Sequence, residues 1–226
     1  MEDVAKVASS MVDIIMARTY SHETIKKLAH SSSAPVINGL SDLEHPCQIL
    51  ADILTIWEKK GKLKGITIGY LGDGENNVTH SLCLVSALLG MNFISASPIG
   101  YGMKNEIIEK AQKIAKETNS HIKQITNPLE AAKDADVIVT DTWISMGDED
   151  EKAKRLTTFQ PFQVNSAIMS HAKKDVIFMH CLPAYRDHEV TSEVIDGPQS
   201  VVYEEAENRL HVQKALLCYL LNIIIL

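Results

Sequence analysis

An α/β protein with a doubly wound parallel sheet is the fold class this sequence predicts, and three observations point there. Short runs rich in Val, Ile, Tyr and Phe alternate with helical patterns along most of the 226 residues, the order in which βαβ units follow one another. A glycine-rich turn, Gly72-Asp73-Gly74, stands between one such run and a helix start, as where a parallel strand feeds its crossover helix. The run Val137–Thr140 is apolar until its last residue, which suits a strand covered on both faces.

Taken in order, the strand-type runs are Ile14–Arg18, Val36–Asn38, Ile66–Leu71, Asn92–Ala96, Ile122–Ile125, Val137–Thr140, Val176–Met179 and Val201–Tyr203. Helical patterns cover Val4–Val12, His22–His30, Pro46–Lys60, Val78–Leu89, Asn105–Glu117, Asn165–Ala172 and Glu204–Leu221. From Ile66 onward the alternation is regular enough for a complete doubly wound domain. Residues 1–40 hold only two helices and two strands, too little for a second domain with its own sheet. The expected organisation is therefore a truncated first α/β domain over 1–45, a connecting helix over 46–60, the main α/β domain over 61–205 and a C-terminal helix over 206–226 that packs back toward the first.

Composition narrows the function. Lys and Arg number 22 against 29 Asp and Glu, a net charge of −7 with a pI near 5.7, which disfavours a general nucleic-acid or anionic-membrane surface. An anionic ligand must then meet local cations. Cys47, Cys83, Cys181 and Cys218 form no C-x-x-C pair, so neither a structural zinc site nor a disulfide framework is expected, and a reducing cytoplasm fits. Met1 is followed by "EDVAKVASS", without the basic and apolar regions of a secretory signal. Ala215–Leu226 is apolar but too short to span a bilayer, and reads as a buried terminal helix.

Four stretches carry candidate chemistry. In "IGYLGDGENNVTHS" (68–81) backbone N–H groups at the helix start can meet a polar or negative ligand. The dinucleotide fingerprint is incomplete, because Asn77 holds the third glycine position and the next strand lacks the ribose-binding acid. Asn77 then either faces a substrate or belongs to a plain tight turn. "VIVTDTWISMG" (137–147) sets Asp141 beyond a strand's carboxyl end, where it either pairs with a cationic amino group or caps a helix. Ser145 and the backbone near Gly147 add donors and acceptors. "FMHCLP" (178–183) sets Cys181 at the same rim, yet neighbours on an extended segment point oppositely, so His180 is a poor base for it, and taken alone a buried structural cysteine is the default reading. "HPCQ" (45–48) puts His45 and Gln48 at a proline-led helix start, favourable for an anion. Arg209 in "ENR" is the one arginine of an otherwise amphipathic helix.

Together, "HPCQ", "DGENN", "DTWISMG", "HCLP" and "ENR", in that order, closely resemble the ornithine carbamoyltransferases, a likeness that runs from about residue 3 to residue 221. Aspartate carbamoyltransferases share the "HP-x-Q" plan, whereas "SMG" and "HCLP" look like the ornithine branch. The resemblance implies that the substrates are carbamoyl phosphate and L-ornithine, with no metal or other cofactor. It further implies that Arg18, His45, Pro46, Cys47, Gln48, Cys181, Leu182 and Arg209 hold carbamoyl phosphate, and that Asn77, Asp141, Ser145 and Met146 hold L-ornithine. Arg18, His45, Asp141 and Cys181 would do the catalytic work, with Cys181 touching substrate rather than attacking it and His180 structural. A homotrimer is implied in the same way.

Two departures stand out. The family's Ser-x-Arg-Thr-Arg phosphate loop lies upstream of the part matched by this chain, so little turnover is expected of the 226 residues alone. "GDGENN" carries one residue more than the family's usual Gly-Asp-Gly-Asn-Asn, an insertion expected to shift Asn76 or Asn77 and to set the Glu75 carboxylate near that of ornithine.

Overall fold

The computed structural model describes residues 1–144 and 149–223. Helices α1 (Glu2–Ser9) and α2 (His22–Ser31) pack together beside β1 (Ile15–Arg18) and β2 (Val36–Leu40), which pair in parallel. Side chains of β1 alternate half-buried and exposed, as in a strand with one covered face. Helix α3 (Pro46–Lys60) starts on a proline, whose missing N–H is harmless in the first turn, and stops at Gly61, held at a left-handed φ of 69°.

The remaining chain winds around five parallel strands, β3 (Thr67–Leu71), β4 (Asn92–Ala96), β5 (Ile122–Ile125), β6 (Val137–Val139) and β7 (Ile177–Met179), in the order β5-β4-β3-β6-β7. The order reverses at β3, and in open α/β sheets ligands bind outside the carboxyl ends of the strands at such a point. Period-two alternation sends Ile68, Tyr70, Phe93, Val137, Val139 and Met179 to one face, against α3, α4 (Asn77–Leu89) and α5 (Asn105–Thr118). Leu71, Ile138 and Phe178 point the other way, toward α6 (Pro128–Ala132), α8 (Ser166–Met169) and α9 (Ser192–Ile195). Each such side chain, fully buried, contributes about 1.5–3 kcal/mol, so the two apolar layers fix the register that aligns the strand ends.

The doubly wound sheet expected from the sequence is present, with differences at its margins. Val201–Tyr203 is not a strand: the Val201 carbonyl accepts the Glu205 N–H at 2.9 Å and opens α10 (Val202–Leu220), leaving only a bridge between Ser200 and Phe178 on the sheet. Short helices α6, α7 (Lys152–Phe159) and α9 are not among the helical patterns read from the sequence. The C-terminal stretch is not buried, since Leu217, Tyr219 and Leu221 are exposed; residues 224–226 lie outside the described residues. α10 packs along α3, with Asn208 Nδ2 donating to Thr55 Oγ1 at 2.9 Å and Lys59 pairing with Glu204 at 2.7 Å. Among the described residues no helix is long and apolar enough to cross a membrane.

Gly69 marks the closest approach of β3 to its covering layer, because a Cβ there would stand 2.5 Å from the Ala131 carbonyl oxygen of α6. A backbone atom cannot rotate away. Gly69→Ala is therefore expected to cost about 1–3 kcal/mol, seen as a lower urea midpoint at an unchanged slope.

Candidate active site

Three turns leave the carboxyl ends of β3, β6 and β7, and their polar groups converge on Asp141, which is buried. In the glycine-rich turn, Asp73 accepts the Glu75 N–H at 2.9 Å and Asn76 caps α4 by accepting the Thr79 N–H at 2.8 Å. The same Asn76 amide donates to the Tyr70 hydroxyl at 3.0 Å and to Asp141 Oδ2 at 3.1 Å. Asp141 Oδ1 accepts the Thr142 N–H at 2.8 Å and the Cys181 thiol at 3.1 Å. Beneath them Arg155 of α7 donates to Asp73 at 2.8 Å and to the Trp143 carbonyl at 3.1 Å, with its guanidinium 5.1 Å from the Tyr101 ring centre. The first two turns are thereby tied to one another.

Burial, followed by the adjacent Asp141 carboxylate, raises the Cys181 thiol well above its ordinary value. It is a proton-bearing donor. His180 is fully buried, accepts the Leu182 N–H on Nδ1 at 2.9 Å and faces Glu189 with Nε2 at 3.2 Å. That pattern assigns the neutral tautomer with the proton on Nε2. Although ligand atoms of Asp141, His180 and Cys181 lie within 4.8 Å of one another, both imidazole nitrogens are already engaged, so the trio offers a metal no free lone pair from His180. Leu182 follows at a left-handed φ of 55° and turns the chain back over the cleft.

The other wall comes from the loop before α3. Asn77 Nδ2 donates to the Ser41 carbonyl at 2.7 Å, the His45 N–H donates to Ser81 Oγ at 2.9 Å, and His80 Nδ1 donates to the Leu43 carbonyl at 3.1 Å. These bonds press the loop onto α4 and set His45 at the cleft. Burial, and then the charges of Arg209 and Arg18, lower the His45 pKa to about 4. The imidazole is neutral at pH 7. Among the described residues no carboxylate pairs with Arg18 or Arg209. The cleft holds about 240 Å³, and Arg18, His45, Asn77, Asp141, Cys181, Leu182 and Arg209 all line it.

Residues 1–58, which include most of α3, match the carbamoyl-P binding domain of aspartate/ornithine carbamoyltransferase, and residues 64–220 match its Asp/Orn binding domain. The chain belongs to the aspartate/ornithine carbamoyltransferase family. It is 53% identical over 220 residues to an ornithine carbamoyltransferase of Pyrococcus horikoshii, covering 97% of this chain and 69% of that protein. The Bacillus subtilis ornithine carbamoyltransferase is 55% identical over 215 residues, covering 95% and 67%. Among solved structures, the ornithine carbamoyltransferase from Pyrococcus furiosus superposes with a TM-score of 0.92 at 52% identity, over 96% of this chain and 69% of that one. The carbamoyltransferase fold is thus shared closely, and the chain spans about seven-tenths of these relatives' length.

Seven of the carbamoyltransferase site residues expected from the sequence meet in the cleft. Pro46, Cys47 and Gln48 do not line it: the Cys47 thiol donates backward to the Asn38 carbonyl at 3.4 Å, and the Gln48 amide nitrogen is taken up by Asp52 and Glu205 at 2.9 and 3.0 Å. Ser145, Met146 and Gly147 lie outside the described residues. Glu75 is exposed at the outer edge of its turn, 3.9 Å from the Arg155 guanidinium, so the inserted carboxylate does not reach the cleft lining. Sequence reasoning missed Asn76, Tyr70, Arg155, Asp52, Glu189 and Glu205. For Asn76 a signal existed, since an asparagine just before an apolar helical run is a capping signature.

A thiol held protonated by burial and by the Asp141 carboxylate resists alkylation. Peptide mapping after iodoacetamide at pH 8 is expected to leave Cys181 largely unmodified, and Asp141→Asn to speed its modification about tenfold by lowering the thiol pKa. The His45 ring should show no NMR titration between about pH 5.5 and 8. Because its folded pKa lies below the unfolded value of 6.5, its contribution to stability is present above that value and lost as pH falls toward 4.

Proposed function

We propose that this protein transfers the carbamoyl group of carbamoyl phosphate to the δ-amine of L-ornithine, giving L-citrulline and phosphate. The observation that carries the reading is one cleft with opposite chemistry at its two ends: Arg18 and Arg209, without an ion-pair partner among the described residues, beside neutral His45, and the Asp141 carboxylate beside Cys181 and Asn77. Guanidinium groups suit a phosphorylated ligand and a buried carboxylate suits an ammonium. The family models, named for carbamoyl phosphate on 1–58 and for aspartate or ornithine on 64–220, support the same division.

In this scheme Arg18 and Arg209 hold the phosphate, with Leu182 against the carbamoyl group and Cys47 and Gln48 supporting the helix from behind. His45, as a neutral imidazole, donates to the carbonyl oxygen without having to lose a charge. Asp141 accepts from the α-amino group of ornithine, and Asn77, Ser145 and Met146 complete that end. The δ-ammonium first releases a proton to solvent, and its lone pair then forms the C–N bond. As negative charge grows on the carbonyl oxygen, His45 and the arginines stabilise it; the C–O bond then breaks, and phosphate leaves with the electron pair and takes up the second proton of the attacking nitrogen. The raised Cys181 thiol orients the incoming amine, because a protonated sulfur is a poor nucleophile.

We also assign residues 1–45 to the carbamoyl-phosphate side, 46–60 to the connection, 61–205 to the ornithine side and 206–226 to a helix returning toward the first, in a cytoplasmic homotrimer serving arginine metabolism. Calorimetry is expected to detect L-ornithine binding that Asp141→Asn weakens by about tenfold or more, since a buried charge pair loses one partner. Equal binding by the two proteins would remove Asp141 from the site.

A further inference from the structure

Behind the cleft, where α3, α10 and the end of β7 meet, lie two acids that the scheme above does not use. Asp52 of α3 and Glu205 of α10 are 2% and 1% exposed. Both accept from the same Gln48 amide nitrogen, at 2.9 and 3.0 Å, which draws the two carboxyls together. The second oxygen of Glu205 accepts the backbone N–H of His180 at 2.9 Å. Two ionised carboxylates brought to one amide nitrogen out of water repel one another, whereas a proton on either turns their approach into a hydrogen bond. Among the described residues neither has a basic side chain in an ion pair.

We propose that Asp52 and Glu205 share a proton, and that Glu205 is thereby a positioning residue for the anion-binding end of the cleft. The shared proton joins three elements that carry ligand-facing groups. α3 begins at His45, the end of β7 carries Cys181 and Leu182, and α10 carries Arg209 one turn beyond Glu205. Lost, it leaves two negative charges facing each other in a space that water does not reach, and the elements must part to solvate them. The charged and titratable groups facing the pair are Arg209 from α10, Asp141 from the end of β6 and Cys181 from the end of β7; α3 adds only neutral Gln48. Burial comes first and mutual repulsion adds to it in raising Glu205 well above an ordinary carboxyl, while Asp52 is raised to about 7, chiefly by burial.

The sign follows directly. An unfolded chain holds no proton on either acid above about pH 5, whereas the folded chain does, so stability falls as pH rises toward and through 7. The ligand arm of the test rests on the anion-binding role proposed above, and the others do not. In heavy water near neutral pH, the infrared spectrum of the full chain should show the carbonyl stretch of a protonated carboxylic acid, reduced in Glu205→Gln. That variant keeps an oxygen for the His180 N–H and a donor for Asp52 without needing the proton. Urea unfolding should show the wild-type equilibrium constant worsening by up to about tenfold per pH unit through this range, with a flatter dependence in Glu205→Gln. Affinity for carbamoyl phosphate should fall more steeply with pH in the wild type than in Glu205→Gln, and should drop about tenfold at every pH in Glu205→Leu, which strands the His180 N–H. Should Glu205→Gln fail to fold, Asp52→Asn removes the same proton and is held to the same infrared and unfolding outcomes. An unchanged infrared band together with parallel pH profiles would overturn the proposal. Absence of carbamoyl phosphate binding in every protein would overturn the functional reading instead, with the band and the unfolding profiles still deciding the shared proton.

Discussion

A carboxylate buried at the end of a strand is the constraint around which the cleft is arranged. Asp141 is taken out of water by the closing of the sheet, and it must be given donors or destabilise the fold. It receives three, from the Asn76 amide, the Thr142 N–H and the Cys181 thiol, which arrive from the ends of β3, β6 and β7. Satisfying one charge therefore fixes three turns relative to each other. Its donors are all neutral, and among the described residues no basic side chain forms an ion pair with it, which leaves the carboxylate to meet a cationic substrate. Cys181 is held as a thiol first by burial and then by the same contact, so covalent attack is removed from its chemistry.

The opposite wall obeys a different economy. Loop 41–45 carries no regular structure of its own, and three of its backbone groups are satisfied by side chains of α4: Asn77, His80 and Ser81 lie on one helix face and each bonds a different residue of the loop. The residue that resemblance assigns to the ligand, Asn77, thus also holds the loop that presents His45. Because both walls hang from α4 or from the turn that begins it, the short glycine-rich segment at 72–76 governs more of the site than its length suggests. Arg155 stabilises that segment from below by bonding Asp73 and the carbonyl after β6.

What was legible in the sequence was local. The strand runs, the glycine-rich turn, the proline-led start of α3 and the placement of Asp141 and Cys181 just past strands all depend on neighbouring residues, and the sheet has them where the patterns put them. Partnerships across long separations were not legible. Nothing near residue 155 marks a tie to Asp73, 82 positions away, and nothing near residue 205 marks a tie to Gln48, 157 positions away. The misread strand at 201–203 has the same origin. Two valines in a row favour extended structure locally, but the helix packing of α10 on α3 decides their conformation. For the C-terminal stretch, apolar composition predicted burial, whereas α10 has only one face against α3 and the other stays exposed.

The charge arithmetic of the whole chain resolves at the cleft. A protein of net charge −7 attracts an anion only where its acids are distant, paired or protonated, and the acids nearest to the Arg209 end are Asp52 and Glu205 behind it and Asp141 beside it. If all three were ionised, their field would oppose that of Arg18 and Arg209 at short range in a medium that screens poorly. A proton between Asp52 and Glu205 removes one of those charges without adding a cation that would compete for Asp141. His45 is depressed to about 4 chiefly by burial, and the two arginines lower it further, so it adds no cation of its own to that end. The cleft can then present cationic groups at one end and a lone carboxylate at the other, which is the polarity that a phosphorylated donor and an amine acceptor require of a single site.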